Sequence, residues 1–254
     1  RSVQYSGGYE TSIGESVMKS KNRTESEKKL PKLLLDVYGA TNTGKVRAQN
    51  EDAFTVDMSK GIFLIADGMG GHNAGKVASE IVAQVLPVIL VQHLESEKNP
   101  TPTFVKQSIR KAMDELNQLM LTQANKNPFL KDMGATVILA LNRPEGAYIA
   151  HLGDSRAYLI RNREISQLTR DHSLVQRMLE LGEITPEEAR VHPMRHIVLS
   201  GLGRQDEIEP EISSFKPQSG DYLILCSDGL SDMIDDESIR HTALKRRKSK
   251  TICS

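Results

Sequence analysis

Cysteine is nearly missing from this chain of 254 residues: Cys226 and Cys253 are its only two. Two thiols build no disulfide framework, and such scarcity fits a reducing, cytoplasmic setting. An excess of one charge is missing too. Lys plus Arg and Asp plus Glu stand at 33 each, so no global basic field points to nucleic acid or an anionic membrane. No apolar run approaches a bilayer span; even residues 81–91 contain Gln84 and Pro87. There is no internal repeat. The first residue is Arg and nothing beside it resembles a signal peptide, so a start mid-chain is expected. The length allows one large domain or two small ones with a sizeable core.

The chain is organised around residues 61–75, which read GIFLIADGMGGHNAG. The run Ile62–Ala66 reads as a buried strand and ends in Asp67, followed by Gly68, Gly70 and Gly71. A helix is expected from Ala74 to Leu94. A carboxylate held where a hydrophobic strand runs out is costly unless something positive sits on it. Glycines let backbone groups approach that partner, and a divalent metal is the first candidate. The run Tyr222–Cys226 repeats the pattern, ending in Ser227-Asp228-Gly229. A third carboxylate, Asp154, lies between the runs Ala147–Leu152 and Ala157–Ile160. Each Asp-Gly or Gly-Asp alone is also an ordinary hairpin signal.

Residues 1–32 are polar, rich in Ser and Lys, and read as a disordered tail. Order is expected from Leu33. Residues 44–54 read as a strand on which Arg47 and Glu51 share one face, either a site or a solvated edge. A second helix is expected from Thr103 to Ala124, with Val105, Ile109, Met113, Leu116 and Met120 on one stripe. Three closely spaced strands between 135 and 160 must pair antiparallel, since parallel pairs need long crossovers. Two short helical pieces, Leu174–Leu181 and Pro186–Arg190, sit in a polar insertion, a candidate lid. A last helix is expected over Asp235–Leu244. Strand groups separated from two long helices argue for an α+β fold with antiparallel sheet. A rival reading starts from Gly70–Lys76 and Gly39–Lys45, which fit the first seven positions of a P-loop. Both are followed by Val, where magnesium binding needs Ser or Thr.

The set Arg47-x-x-Asn50-Glu51-Asp52, Asp67-Gly68-Met69-Gly70-Gly71, Gly134-Ala135-Thr136, Gly153-Asp154-Ser155-Arg156, Asp171-His172-Ser173 and Ser227-Asp228-Gly229-Leu230-x-Asp232 resembles the metal-dependent Ser/Thr protein phosphatases of the PPM (protein phosphatase 2C) family, most of all their bacterial branch. The resemblance covers about Val37 to Arg240. It implies a sandwich of two antiparallel β-sheets flanked by α-helices, with a metal centre in a cleft at one end. The phosphatase domain would span 33–240, with a flap at about 174–202 beside the cleft and a polar basic tail over 241–254.

By the same resemblance, Asp67 bridges two Mn²⁺ or Mg²⁺ ions, Gly68 gives its carbonyl to the second, and Asp228 closes the first ion's shell. Asp154 joins Asp228 at a third, looser ion, Glu51 lies close to the metals' water shell, and Arg47 binds the phosphate. Oxygen donors suit such hard cations, which activate a water for in-line attack on phosphorus. Cys226 is then packing, not a nucleophile. The implied partners are phosphorylated Ser/Thr proteins, including a cognate Ser/Thr kinase, with no nucleic acid, no membrane and a monomeric chain. Two positions depart from the family. Met69 stands where animal members carry a His, and His72 is not its substitute. The family's closing Asp-Asn pair, whose Asp completes the first metal's shell, occurs nowhere in the sequence. A truncated or frame-shifted ending without the last strand is therefore expected. A non-catalytic phosphoprotein-binding module is the reading from a different class.

Overall fold

The computed structural model describes residues 35–71, 73–205, 207–246 and 249–253. The expected tail at 1–32, Leu33, His72 and Arg247–Lys248 lie outside the described residues. From Asp36 onward the chain forms one compact unit. Its strands are β1 (Asp52–Asp57), β2 (Ile62–Met69), β3 (Gly134–Ala135), β4 (Val137–Arg143), β5 (Gly146–Leu152), β6 (Arg156–Arg161), β7 (Glu164–Gln167), β8 (Glu211–Phe215) and β9 (Tyr222–Cys226). Its helices are α1 (Ala74–Glu95), α2 (Pro102–Lys126), α3 (Leu174–Glu180), α4 (Pro186–Val191), α5 (Asp228–Ser231), α6 (Asp236–Arg246) and α7 (Ser249–Ile252).

All strand pairs are antiparallel and fall into two sheets, β1-β2-β4-β5-β8 with β3 beside β2, and β7-β6-β9. Side-chain alternation explains how they stack. On β4, Val137, Leu139 and Leu141 join the core formed with α1 and α2, while Ile138 and Ala140 join a second core with Ala157 and Leu225 of the other sheet. On that second sheet, Tyr158 and Cys226 turn outward onto Ile239 of α6. The order of layers is therefore helix pair, sheet, sheet, helix. Strands buried on both faces show no apolar/polar alternation, which is why they read as continuous apolar runs.

The helices match their expected spans to within two or three residues. Thr101 caps α2, its hydroxyl accepting from the Phe104 N–H, with Pro102 in the first turn. In α1 the apolar side chains Ala78, Val82, Leu86 and Leu90 are buried in the helix–sheet core. This helix corrects one expectation: an 18-residue window of α1 has a mean hydropathy of 1.6, enough in length and composition to cross a membrane. Half of that window is buried within the fold.

Three further expectations change. Residues 44–51 are turn and irregular, and β1 starts only at Asp52. Gly44 sits at φ 74, its N–H bonded to Asn42 Oδ1, and Asn50 Oδ1 takes the Asp52 N–H. Asn side chains satisfying nearby main chain compete with strand pairing, so Arg47 and Glu51 share no strand face. The Gly153–Ser155 link is not a hairpin either. It carries the chain from β5 in one sheet to β6 in the other. Gly153 turns there at φ 103, where a Cβ would lie 2.6 Å from Thr136 Cβ. Finally, α6 runs across the boundary drawn at residue 240, and Ala243 is fully buried.

The second sheet has three strands among the described residues and β9 at its edge. Phe54 and Val56, on the face of β1 turned toward that sheet, are 36% and 40% exposed.

Candidate metal centre

β2 does not stop at Asp67 but continues to Met69, so the carboxylate belongs to the strand. Counting along β2, Asp67 has the parity of Phe63 and Ile65, which face between the sheets. Its position is fixed on both sides. The register sets Asp52 directly opposite, and the Thr136 N–H donates to the Asp67 carbonyl at 2.9 Å. Asp154 arrives from the sheet-crossing turn and is 9% exposed. Asp228 opens α5, two residues beyond β9. Ser227, just before it, donates its hydroxyl to Asp52 Oδ2 at 2.9 Å.

The electrostatics show that these groups meet. Burial first, then the charges of Asp52, Asp228 and Asp154, push the Asp67 carboxyl up to about 9. Asp154 is pushed up to about 7 by burial and by Asp228 and Asp171. Asp52 is raised mainly by burial, with Asp228 adding to it and Arg47 opposing. Asp67 thus stands close to the carboxylates of both Asp52 and Asp228. Ionised carboxylates this near one another repel, and a shared proton or a cation relieves the repulsion. The donor set, all carboxylate oxygen, fits a hard divalent cation.

Beside this cluster lies a second pair of oxygen donors. A Cβ on Gly75 would sit 3.0 Å from Glu51 Oε1 and 2.9 Å from the Gly68 carbonyl oxygen, so both oxygens gather at the first turn of α1. Gly68 itself has no room for a Cβ, which would overlap the Gly75 carbonyl oxygen and lie 2.9 Å from that of Glu51. The Gly68 N–H donates to Glu51 O at 3.1 Å, closing the approach. This is the physical need for glycine that the sequence pattern implied. Arg47 stands apart on an exposed loop, with its charge felt at Asp52.

The motifs around the turn are braces. Arg156 forks onto Asp171, with Nε 2.9 Å from Oδ1 and Nη2 2.6 Å from Oδ2. Thr136 Oγ1 and Ser155 Oγ lie 2.7 Å apart, tying β3 and β4 to the same turn. The flap is stitched at its base by Leu174 N–H to Ile197 O at 2.9 Å and Leu199 N–H to His172 O at 2.7 Å. Its His196 reaches to 3.9 Å from Asp232, which lies with Asp228 at the rim of the cluster.

A model of the family described as "Protein phosphatase 2C" matches residues 42–250. The chain belongs to the protein phosphatase 2C family. It is 38% identical over 210 residues to the protein phosphatase PhpP of Streptococcus pneumoniae, covering 81% of this chain and 83% of that one. It is 36% identical over 214 residues to the serine/threonine phosphatase stp of Listeria monocytogenes, covering 82% of each. A crystal structure of the catalytic domain of the serine/threonine protein phosphatase PstP, in complex with two manganese ions, superposes with a TM-score of 0.68. That structure shows 33% identity over 83% of this chain and 84% of its own.

Within this protein phosphatase 2C member, Asp67, Asp154 and Asp228 come together as expected, with Gly68 and Glu51 adjacent. Asp52 is the site residue to which sequence reasoning gave no role. No local signal marks it, because its place comes from the β1–β2 register that sets it opposite Asp67. The P-loop reading fails. Residues 39–45 follow no strand and precede no helix; at 70–76 the strand and helix are present, but Val77 follows Lys76, which pairs with Glu80 at 4.0 Å, and Gly75 is packed against the Gly68 backbone. Burial pushes the Cys226 thiol up to about 12, which suits packing rather than attack.

Proposed function

We propose that this chain removes phosphate from phosphoserine and phosphothreonine in proteins, using two Mn²⁺ or Mg²⁺ ions and a third, weaker one. The observation that supports the reading most is the meeting of Asp52, Asp67, Asp154 and Asp228, four carboxylates whose mutual repulsion calls for bound cations. Asp67 would be shared by two ions, with Asp228 and Asp52 on one side and the Gly68 carbonyl and Glu51 on the other. Asp154 and Asp228 would hold the third. Such ions supply Lewis acidity and an ionised water when bound.

The chain's own groups do the rest. Arg47, on its exposed loop, presents a planar fork of N–H donors that grips two phosphate oxygens and orients phosphorus toward the cluster. The Gly68–Gly75 contact holds β2 and α1 together, so Asp67 keeps its aim. The flap edge at His196 covers one side of the cleft and meets the substrate protein first. Manganese-dependent hydrolysis of a phosphothreonine peptide, stopped by EDTA and by Asp67→Ala, is the expected result. A chain that binds phosphopeptide but shows no metal-dependent turnover would overturn this reading in favour of a binding module. Phosphorylated Ser/Thr proteins, a cognate kinase among them, are the proposed partners of a monomeric, cytoplasmic enzyme.

A further inference from the structure

Some distance from the carboxylate cluster, the fold assembles a different donor set. The β5–β8 register sets His151 directly opposite Glu211. His172, from the loop after β7, lays its ring against His151 with centroids 4.7 Å apart. One ligand atom from each of the three lies within 4.8 Å of the others. β5 runs parallel to β2 with β4 between them, so this cluster shares the end of the sheet that carries Asp67, two strand spacings or roughly 10 Å across.

We propose that His151, His172 and Glu211 form a binding site for a borderline transition cation, with Zn²⁺ the best fit. Two imidazoles and one carboxylate suit zinc, whereas the all-oxygen centre suits Mn²⁺ or Mg²⁺. His151 is 2% exposed, and its Nε2 donates to the Arg170 carbonyl at 2.8 Å, leaving the Nδ1 lone pair for a metal. A ligand histidine whose other N–H is fixed by a backbone carbonyl is the usual outer support of a zinc site. Burial lowers the pKa of His151, keeping it neutral as coordination requires. His172 Nε2 already faces Glu211 Oε1 at 3.6 Å, and the Glu211 side chain, 46% exposed, is otherwise held, among the described residues, only by Arg170 Nη1 at 4.0 Å. Donors around tetrahedral zinc stand about 3.3 Å apart, given bonds of about 2.0 Å, so a small closure completes the shell. A cavity of about 530 Å³ lined by Arg110, His151, Leu168, Glu209, Glu211 and Ser213 opens alongside, with room for a water as fourth ligand.

Occupancy would reach the main centre through one bond. His172 Nδ1 accepts from the Gly153 N–H at 3.3 Å, and Gly153 precedes Asp154. Coordination through Nε2 puts the proton on Nδ1, so that acceptor is lost and the turn carrying Asp154 is loosened.

The test is zinc binding by the full chain already saturated with Mn²⁺, measured by equilibrium dialysis and elemental analysis and located by anomalous scattering at the zinc edge. One zinc is expected between His151, His172 and Glu211. Glu211→Gln, an exposed and mild change, should weaken it at least tenfold with manganese content unchanged, and His172→Asn should weaken zinc binding as much. Asp67→Asn should lose manganese and keep the zinc. Zinc found only at the carboxylate cluster, or bound by Glu211→Gln with wild-type affinity, would overturn the proposal and leave a stacked histidine pair that merely packs.

Discussion

Replacing Asp67 by Asn should make the metal-free protein more stable while removing its catalysis. The carboxyl titrates at about 9 in the folded chain against an ordinary value of 3.8. Its folded pKa is raised, so between those two values the folded state holds a proton that the unfolded chain has released. Stability therefore falls as pH rises through that window, by up to about 1.4 kcal/mol per pH unit. At pH 7 the ceiling is about 4 kcal/mol. Asp52, Asp154 and Asp228 share the strain and water enters the cleft, so about 2 kcal/mol is the working figure. The assay is urea unfolding in EDTA at pH 5 and pH 8. The wild-type midpoint should drop between the two, and that of Asp67→Asn should drop much less. With Mn²⁺ added, the order should reverse, because only the wild type gains binding energy, about 2.7 kcal/mol at a hundredfold excess over Kd. Equal loss for both proteins between pH 5 and pH 8 would refute the picture of buried, mutually repelling carboxylates.

Four other outcomes follow from particular contacts. Gly68→Ala should cost about 3 kcal/mol in thermal or urea melts, since its Cβ would collide with the Gly75 backbone, which cannot yield. Arg156→Ala leaves Asp171 unpaired and mostly buried, and should cost about 2–3 kcal/mol while lowering turnover through the loosened Asp154 turn. Cys226→Ala should leave kcat unchanged and lower stability by about 1 kcal/mol, and the native thiol should resist alkylation at pH 8. Replacing residues 176–196 of the flap with a short flexible linker should change the kcat/KM ratio among phosphopeptides several-fold; constant ratios would count against a role in substrate choice.

Legibility from sequence varied with the reach of the interactions. The helix α2 was readable because its stripe, its Thr101 cap and Pro102 are all local. Residues 44–51 misled because strand-like composition was weighed without the side chains of Asn42 and Asn50, which bond the nearby main chain. Glu51 and Arg47 were expected on one strand face. Instead Glu51 sits against α1 and Arg47 on an exposed loop, near the site for reasons no periodicity contains. Asp154 in its Gly-Asp turn looked like a hairpin, and nothing within ten residues says that the strands on either side belong to different sheets. Asp52 went without a role because its importance comes from standing opposite Asp67, a matter of register.

By itself the sequence determined the helices, the apolar strands and the residue types that can bind a hard cation, since each depends on neighbours along the chain. Only the tertiary structure decided that Asp52, Asp67, Asp154 and Asp228 share one space. Their meeting depends on which sheet each strand joins and how two sheets stack, and those choices are made by burial of apolar faces far from any carboxylate.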